Sequence, residues 1–284
     1  MEPMPRFCEP AEGSAHASHR MRAVERWQHG REVHALDQVA EEVPIAMVYN
    51  GISHAVMLAT PAGLEAFGLG FSLAEGILKH KRELYDTEIV QRRDGIELHM
   101  TIAQERFVEL KSRRRNLAGR TGCGLCGTES LQQVMRPTAP VESGLSLHPH
   151  AVHAALAGLP GYQSLQALTG AAHAAAWVSP AGVILHCEED IGRHNALDKL
   201  IGTLAHHDVD IRDGFVIVTS RASYEMVQKC ATRGIAVLIA VSAPTSFAID
   251  LAQQSGMTLA GFARGCSHVV YTHSHRLIEP QEKQ

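Results

Sequence analysis

The sequence predicts an α/β protein, a sheet with helices on both faces, preceded by a smaller α+β unit. Three observations carry this. In the second half, two continuous apolar runs, residues 215–219 (FVIVT) and 236–241 (AVLIAV), are each followed by a stretch of helical spacing. Strands that are apolar all round belong to sheets covered on both sides. In the first half, Asn50-Gly51 and Asp94-Gly95 each separate two strand-like runs, the strongest short-range signal for a hairpin. With 45% hydrophobic residues among 284, the chain can bury one large core or two smaller ones.

Taken in order, residues 1–30 mix Pro, Gly, His, Arg and Glu without an apolar stretch, and read as a mobile N-terminal arm rather than a signal peptide. A small α+β domain is expected over 31–136. It opens with strands over 42–49 and 52–59. Thr60-Pro61 then looks like a helix cap with proline in the first turn, and Leu64, Phe67, Phe71, Ala74 and Leu78 follow at helical spacing. Strands over 88–91 and 96–102 make the second hairpin, and a helical stretch runs into a basic segment at 111–120, KSRRRNLAGR. Residues 137–150 resemble a linker.

The larger domain is expected over 137–284. Residues 174–179 and 183–187 read as a hairpin around Pro-Ala-Gly. A helix over 192–206 carries the stripe Ala196, Leu197, Leu200, Ile201 and Leu204. Helices over 224–233 and 245–255 end at Gly234 and Gly256, and short strands lie near 258–263 and 268–271.

A net charge of −4 argues against a nucleic-acid partner, and no apolar run is long enough to cross a bilayer. Of six cysteines, Cys8, Cys187, Cys230 and Cys266 are scattered, which is not a disulfide framework. The expectation is a reduced, cytoplasmic protein.

The sharpest motif is GRTGCGLCG at 119–127, which holds Cys123 and Cys126. Its four glycines leave the thiols on a tightly turned or mobile backbone. Residues 128–135 have helical spacing, and a thiol at a helix N-terminus is biased toward thiolate. Residues 111–120 hold five basic residues and no acid, which act the same way and attract anions. Vicinal thiols with one activated suit reversible sulfur or disulfide chemistry. The alternative is half of a structural zinc site, with His186 and Cys187 as the remaining ligands.

Three strand-to-helix junctions follow: 188–195 (EEDIGRHN), 220–225 (SRASYE) and 242–246 (SAPTS). Ligands of open α/β sheets collect at the carboxyl ends of strands, where helix N-termini bind phosphate. Arg193, His194, Ser220, Arg221 and Thr245 are therefore candidates for holding a phosphate-bearing ligand. Taken singly, Ser220 and Thr245 read as caps, and Asp190 with Arg193 as a surface pair. His186-x-Glu188 with CxxC echoes zinc deaminases, but in reversed order and without the proline.

Residues 39–276 resemble the FdhD family of formate dehydrogenase accessory sulfurtransferases. The resemblance is carried by EEVPIAMVYNGISHAVMLATP, LGFSLAEGI, RTGCGLCG, TGAAHAA, EDIGRHNALDKLIG, SRASYEMVQK, AVSAPTS and TLAGFARG. It implies a three-layer α/β/α, cytidine-deaminase-like domain with a smaller appended domain, and a homodimer. It implies sulfur accepted from a cysteine desulfurase and passed to the bis-molybdopterin guanine dinucleotide cofactor of formate dehydrogenase, bound as substrate. A GDP-like nucleotide would fit the same site, and no structural zinc is expected. Cys123 corresponds to the family's persulfide carrier. Delivery as sulfide needs two electrons, and by its place in the CxxC pair Cys126 is the candidate to supply them by attacking the persulfide. The family's cofactor segment corresponds to Phe262, Ala263, Arg264, Gly265, Cys266 and Ser267. Two departures are Ala171-Ala172, where relatives often carry Gly, Cys or Thr, and Cys266 inside the cofactor segment. The rival functions are a cofactor chaperone without sulfur chemistry and a zinc-dependent deaminase.

Overall fold

The structure, a computed structural model, describes residues 17–118 and 139–278, with 113–118 as backbone only. Cys123, Cys126, Arg120 and the helix expected over 128–135 lie outside the described residues. Within them the chain is a mixed α/β protein of three sheets and seven α-helices.

The first sheet is a two-stranded ribbon, β1 (His19–Gln28) and β2 (Arg31–Ala40). It replaces the arm expected through residue 30. The turn is His29-Gly30, both at positive φ (51° and 76°), the geometry that matches the twist of paired strands. Its strands are largely exposed, and Met21, Trp27 and Leu36 stand open to solvent beside arginines and glutamates. Without a buried face there is no apolar alternation to read.

The second sheet has the order β4-β3-β6-β5. Strands β3 (Val43–Tyr49) and β4 (Ile52–Ala59) turn at Asn50-Gly51 as expected. Strands β5 (Leu84–Arg92) and β6 (Gly95–Ile102) turn at Arg93-Asp94, one residue earlier than expected. Gly95 instead opens β6, where a Cβ would lie 2.4 Å from the Pro44 carbonyl oxygen. Helix α1 (Leu64–Ala74) buries Phe67, Leu69 and Leu73; each such side chain contributes about 1.5–3 kcal/mol. Its N-cap is Gly63, in the left-handed region, rather than Thr60, and Leu78 is buried but follows the helix. Helix α2 is Gln104–Ala118.

The sequence pattern assigns no element to residues 151–169. Helices α3 (Pro149–Gly158) and α4 (Ser164–Thr169) occupy them, α3 starting inside the expected linker. The third sheet has the order β12-β11-β10-β9-β7-β8. Strands β9 (Phe215–Val218) and β10 (Val237–Ala240) are wholly buried, as their continuous apolar runs predict. β9, β10 and β11 (Thr258–Arg264) run parallel; β12 (Ser267–Thr272) is antiparallel to β11. β7 (His173–Val178) is antiparallel to both β9 and β8 (Ile184–Asp190). β8 therefore points the same way as β9 and β10, and all three carboxyl ends lie on one edge. Each leads into a helix: α5 (Arg193–His206), α6 (Tyr224–Thr232) and α7 (Ser246–Gln254).

The two halves share one hydrophobic core. Helices α1 and α5 cross with their backbones in contact. A Cβ at Gly70 would sit 1.7 Å from the Asp198 carbonyl oxygen, and one at Gly202 1.9 Å from that of Ala66. Beside this crossing lie two buried charge clusters. Lys199 Nζ is 2.7 Å from Asp190 Oδ2 and from Thr60 Oγ1; Lys229 Nζ is 2.8 Å from Asp198 and 2.9 Å from Glu75. No helix among the described residues is long and apolar enough to cross a membrane.

Candidate functional site

The Asp190 carboxylate fixes the first junction. It accepts from Gly192 N (2.8 Å) and Asn195 Nδ2 (2.9 Å), and on its other oxygen from Thr60 N and Thr60 Oγ1. Asp190 is fully buried and paired with Lys199, so the surface pair with Arg193 does not form. Arg193 is left at the first position of α5 with a buried Nε that has no partner among the described residues. A buried guanidinium nitrogen without an acceptor is costly. A phosphate oxygen, which arginine binds through paired N–H groups, would satisfy it.

His194, the next residue, joins the first junction to the second. Its Nε2 lies 2.8 Å from Glu225 Oε2 and 3.4 Å from Ser223 Oγ. That hydrogen bond, the largest favourable influence, holds the Glu225 carboxyl below the usual range. The N-caps of α5 and α6, Gly192 and Ser223, supply no side-chain cap hydrogen bond among the described residues.

Backbone contacts tie in the third junction. Ala222 bridges Pro244, Thr245 N donates to the Ala222 carbonyl (3.1 Å), and Ser242 N to that of Ser220. Two of the candidates make internal hydrogen bonds here. Thr245 Oγ1 caps α7 by accepting from Ala248 N (3.3 Å), and Ser220 Oγ donates to the Arg221 carbonyl (3.0 Å). Arg221 is exposed on the same loop.

The segment of Phe262, Ala263, Arg264, Gly265, Cys266 and Ser267 is the end of β11 and its turn into β12. Phe262 N donates to the Ser242 carbonyl (3.1 Å) and Arg264 Nε to that of Val241 (3.4 Å), which seats it against the third junction. Phe262 adopts φ 52° and is half exposed, a strained conformation for a bulky side chain. Arg193, His194, Arg221 and this segment are thus brought to one edge of the sheet.

Sequence reasoning missed His173 and Glu225. His173 begins β7 on this edge; burial first, and then the charges of Arg193 and His194, hold its imidazole below the usual value. Beside it is a cavity of about 380 Å³ lined by Gln163, Gln166, Ala171, Ala172, His173 and Thr219. The only sequence signal was TGAAHAA, whose small residues leave the space open. A larger cavity, about 600 Å³, lies at the opposite end of α5 against Ile201, Leu204 and Arg233. Its distance from the three junctions makes it a poorer site for a ligand they hold.

Burial pushes the thiols of half-buried Cys187 and fully buried Cys230 up to about 12, which disfavours the thiolate form. His186 stacks on His207, and Glu188 accepts from Thr203 Oγ1 (2.7 Å).

The profile of the FdhD/NarQ family matches residues 40–278. The chain belongs to the FdhD/NarQ family. Its FdhD relatives include the sulfur carrier protein FdhD of Cupriavidus necator, 58% identical over 260 residues and covering 92% of this chain and 90% of the relative. The protein of the same name from Acinetobacter baylyi is 53% identical, covering 86% and 89%. That of Xanthomonas euvesicatoria pv. vesicatoria is 47% identical, covering 94% and 95%. The FdhD/NarQ chain also shares its fold with the crystal structure of a formate dehydrogenase accessory protein from Desulfotalea psychrophila. The TM-score is 0.72 at 23% identity, over 92% of this chain and all of the other.

Proposed function

We propose that this protein is a sulfur carrier that takes persulfide sulfur from a cysteine desulfurase and passes it to the bis-molybdopterin guanine dinucleotide of a formate dehydrogenase. It acts in the cytoplasm as a homodimer, with its larger half as a three-layer, cytidine-deaminase-like domain. The relatives' names support the sulfur role. The observation that carries the substrate reading is the buried Arg193 Nε, which has no partner among the described residues, at the start of α5.

The Cys123 thiolate attacks the terminal sulfur of the desulfurase persulfide. A new S–S bond forms on Cys123 and the desulfurase cysteine leaves as thiolate. For delivery, the Cys126 thiolate attacks Cys123 Sγ. The S–S bond to the terminal sulfur breaks, sulfide leaves toward the molybdenum, and a Cys123–Cys126 disulfide remains. The two thiols supply the two electrons that reduce sulfane sulfur to sulfide. The pair works as thiols, not as half of a zinc site.

Arg193 and Arg221 hold the phosphates of the dinucleotide, helped by the N-termini of α5 and α6. The Phe262–Ser267 segment lies along the same ligand. Intact mass spectrometry after incubation with desulfurase and cysteine tests the sulfur step: added sulfur appears in the wild type and is absent in Cys123→Ala. Equal loading of that variant removes Cys123 from the role. In calorimetry, GDP binds better than ADP. Arg193→Ala or Arg221→Ala weakens GDP by about ten- to a hundredfold, the worth of one charge-assisted bond.

A further inference from the structure

A second cluster of chemically capable side chains lies outside that edge. Helix α3 carries His150 and His153, three residues apart and so on one face. Helix α3 packs along β11, which brings His153 to His268 on β12. His153 Nε2 and His268 Nδ1 are 3.1 Å apart, with ring centroids separated by 5.2 Å. Both residues are partly buried. The His150 ring stands 6.1 Å from that of His153, edge-on. His148 holds His150 from the other side: its Nδ1 accepts from His150 N (3.0 Å) and its ring stacks at 5.1 Å.

We infer that His153 and His268, with His150 as a third ligand, form a binding site for a divalent late transition-metal ion such as Zn²⁺. Two imidazoles on one tetrahedral zinc, at about 2.0–2.1 Å each, have nitrogens about 3.3–3.4 Å apart. The observed pair needs to open by only a few tenths of an ångström. Each neutral ring presents the required nitrogen by carrying its proton on the other one, and imidazole sets select zinc, copper or nickel. His150 reaches the ion by rotating its side chain, and water completes the shell. The ion ties α3 to the β11–β12 hairpin, so its occupancy braces the turn that bears Cys266 and Ser267.

The test is a calorimetric titration of the full chain with ZnCl₂, in a Cys123→Ser/Cys126→Ser background so that no vicinal thiols contribute. One ion binds per chain, in the micromolar range or tighter. His153→Ala and His268→Ala each weaken it at least tenfold, and His150→Ala by less. His275→Ala, in the separate His273/His275 pair, leaves it unchanged. Metal-free melting temperatures of the variants match the parent, since these rings are only partly buried. Zinc raises the melting temperature of the parent and not of His153→Ala. Absence of binding, or equal binding in His153→Ala and His268→Ala, overturns the site.

Discussion

His194 Nε2 lies 2.8 Å from Glu225 Oε2, so that the first turn of α5 is bonded to the first turn of α6. Two separate strand-to-helix junctions become one surface through this contact. Glu225 is depressed chiefly by His194. For such a carboxylate, the stabilising contribution is present above the unfolded pKa and is lost as pH falls through the lower folded value. Wild type should therefore exceed Glu225→Gln in melting temperature at pH 7, with the gap closing as pH falls through and below the usual glutamate range. The Glu225 side chain is 63% exposed, so the difference is well under about 1 kcal/mol.

His173 reports the charge of the site. Burial and then Arg193 hold its pKa down. In Arg193→Ala the imidazole should titrate at a higher pH, and saturating GDP should shift it the same way in the wild type by neutralising that charge. Proton NMR titration of the His173 ring checks both. A GDP-saturated protein with an unmoved His173 would place the nucleotide elsewhere.

The α1–α5 crossing should not tolerate a methyl group. Alanine is intrinsically favoured over glycine inside a helix by about 1 kcal/mol. The would-be Cβ contacts of 1.7 Å at Gly70 and 1.9 Å at Gly202 are with backbone, which cannot move aside alone. Overpacking wins, and Gly70→Ala or Gly202→Ala should lose about 3 kcal/mol in urea unfolding.

Lys199 and Asp190 should behave as a unit. Lys199→Met strands a fully buried carboxylate and is expected to cost about 3–5 kcal/mol. The double variant Lys199→Met/Asp190→Leu should recover part of that stability. It should still bind GDP poorly, because Asp190 also anchors Gly192 and Asn195. Urea unfolding and GDP titration on the same samples separate the two effects.

The sequence made the second half legible because its information is local. FVIVT and AVLIAV are buried on both faces, and the polar residues after them can only be junctions. The ribbon was not legible because its alternation is not apolar against polar: Arg22 and Val24 share a face, as do Glu25 and Trp27. Thr60 was read as a cap from its neighbour Pro61, yet its hydroxyl is claimed by Asp190, 130 positions away. Arg193 stands out through its junction, but only the fold shows that its Nε lacks a partner among the described residues. His173 acquires its character entirely from charges remote in sequence.

Asp190 receives Thr60 from one half of the molecule and shapes the Arg193 loop in the other. Nearby, Asn195 spends one amide hydrogen on Asp190 and donates to the Leu58 carbonyl as well. A chain whose halves have not docked therefore lacks a formed anion cradle. Occupancy of the cradle and docking of the halves are thermodynamically linked: whatever the ligand gains by binding, it adds to the cost of prying Leu58 and Thr60 away. Under the proposed function, a phosphate-bearing ligand would therefore be held only by a chain whose halves have docked.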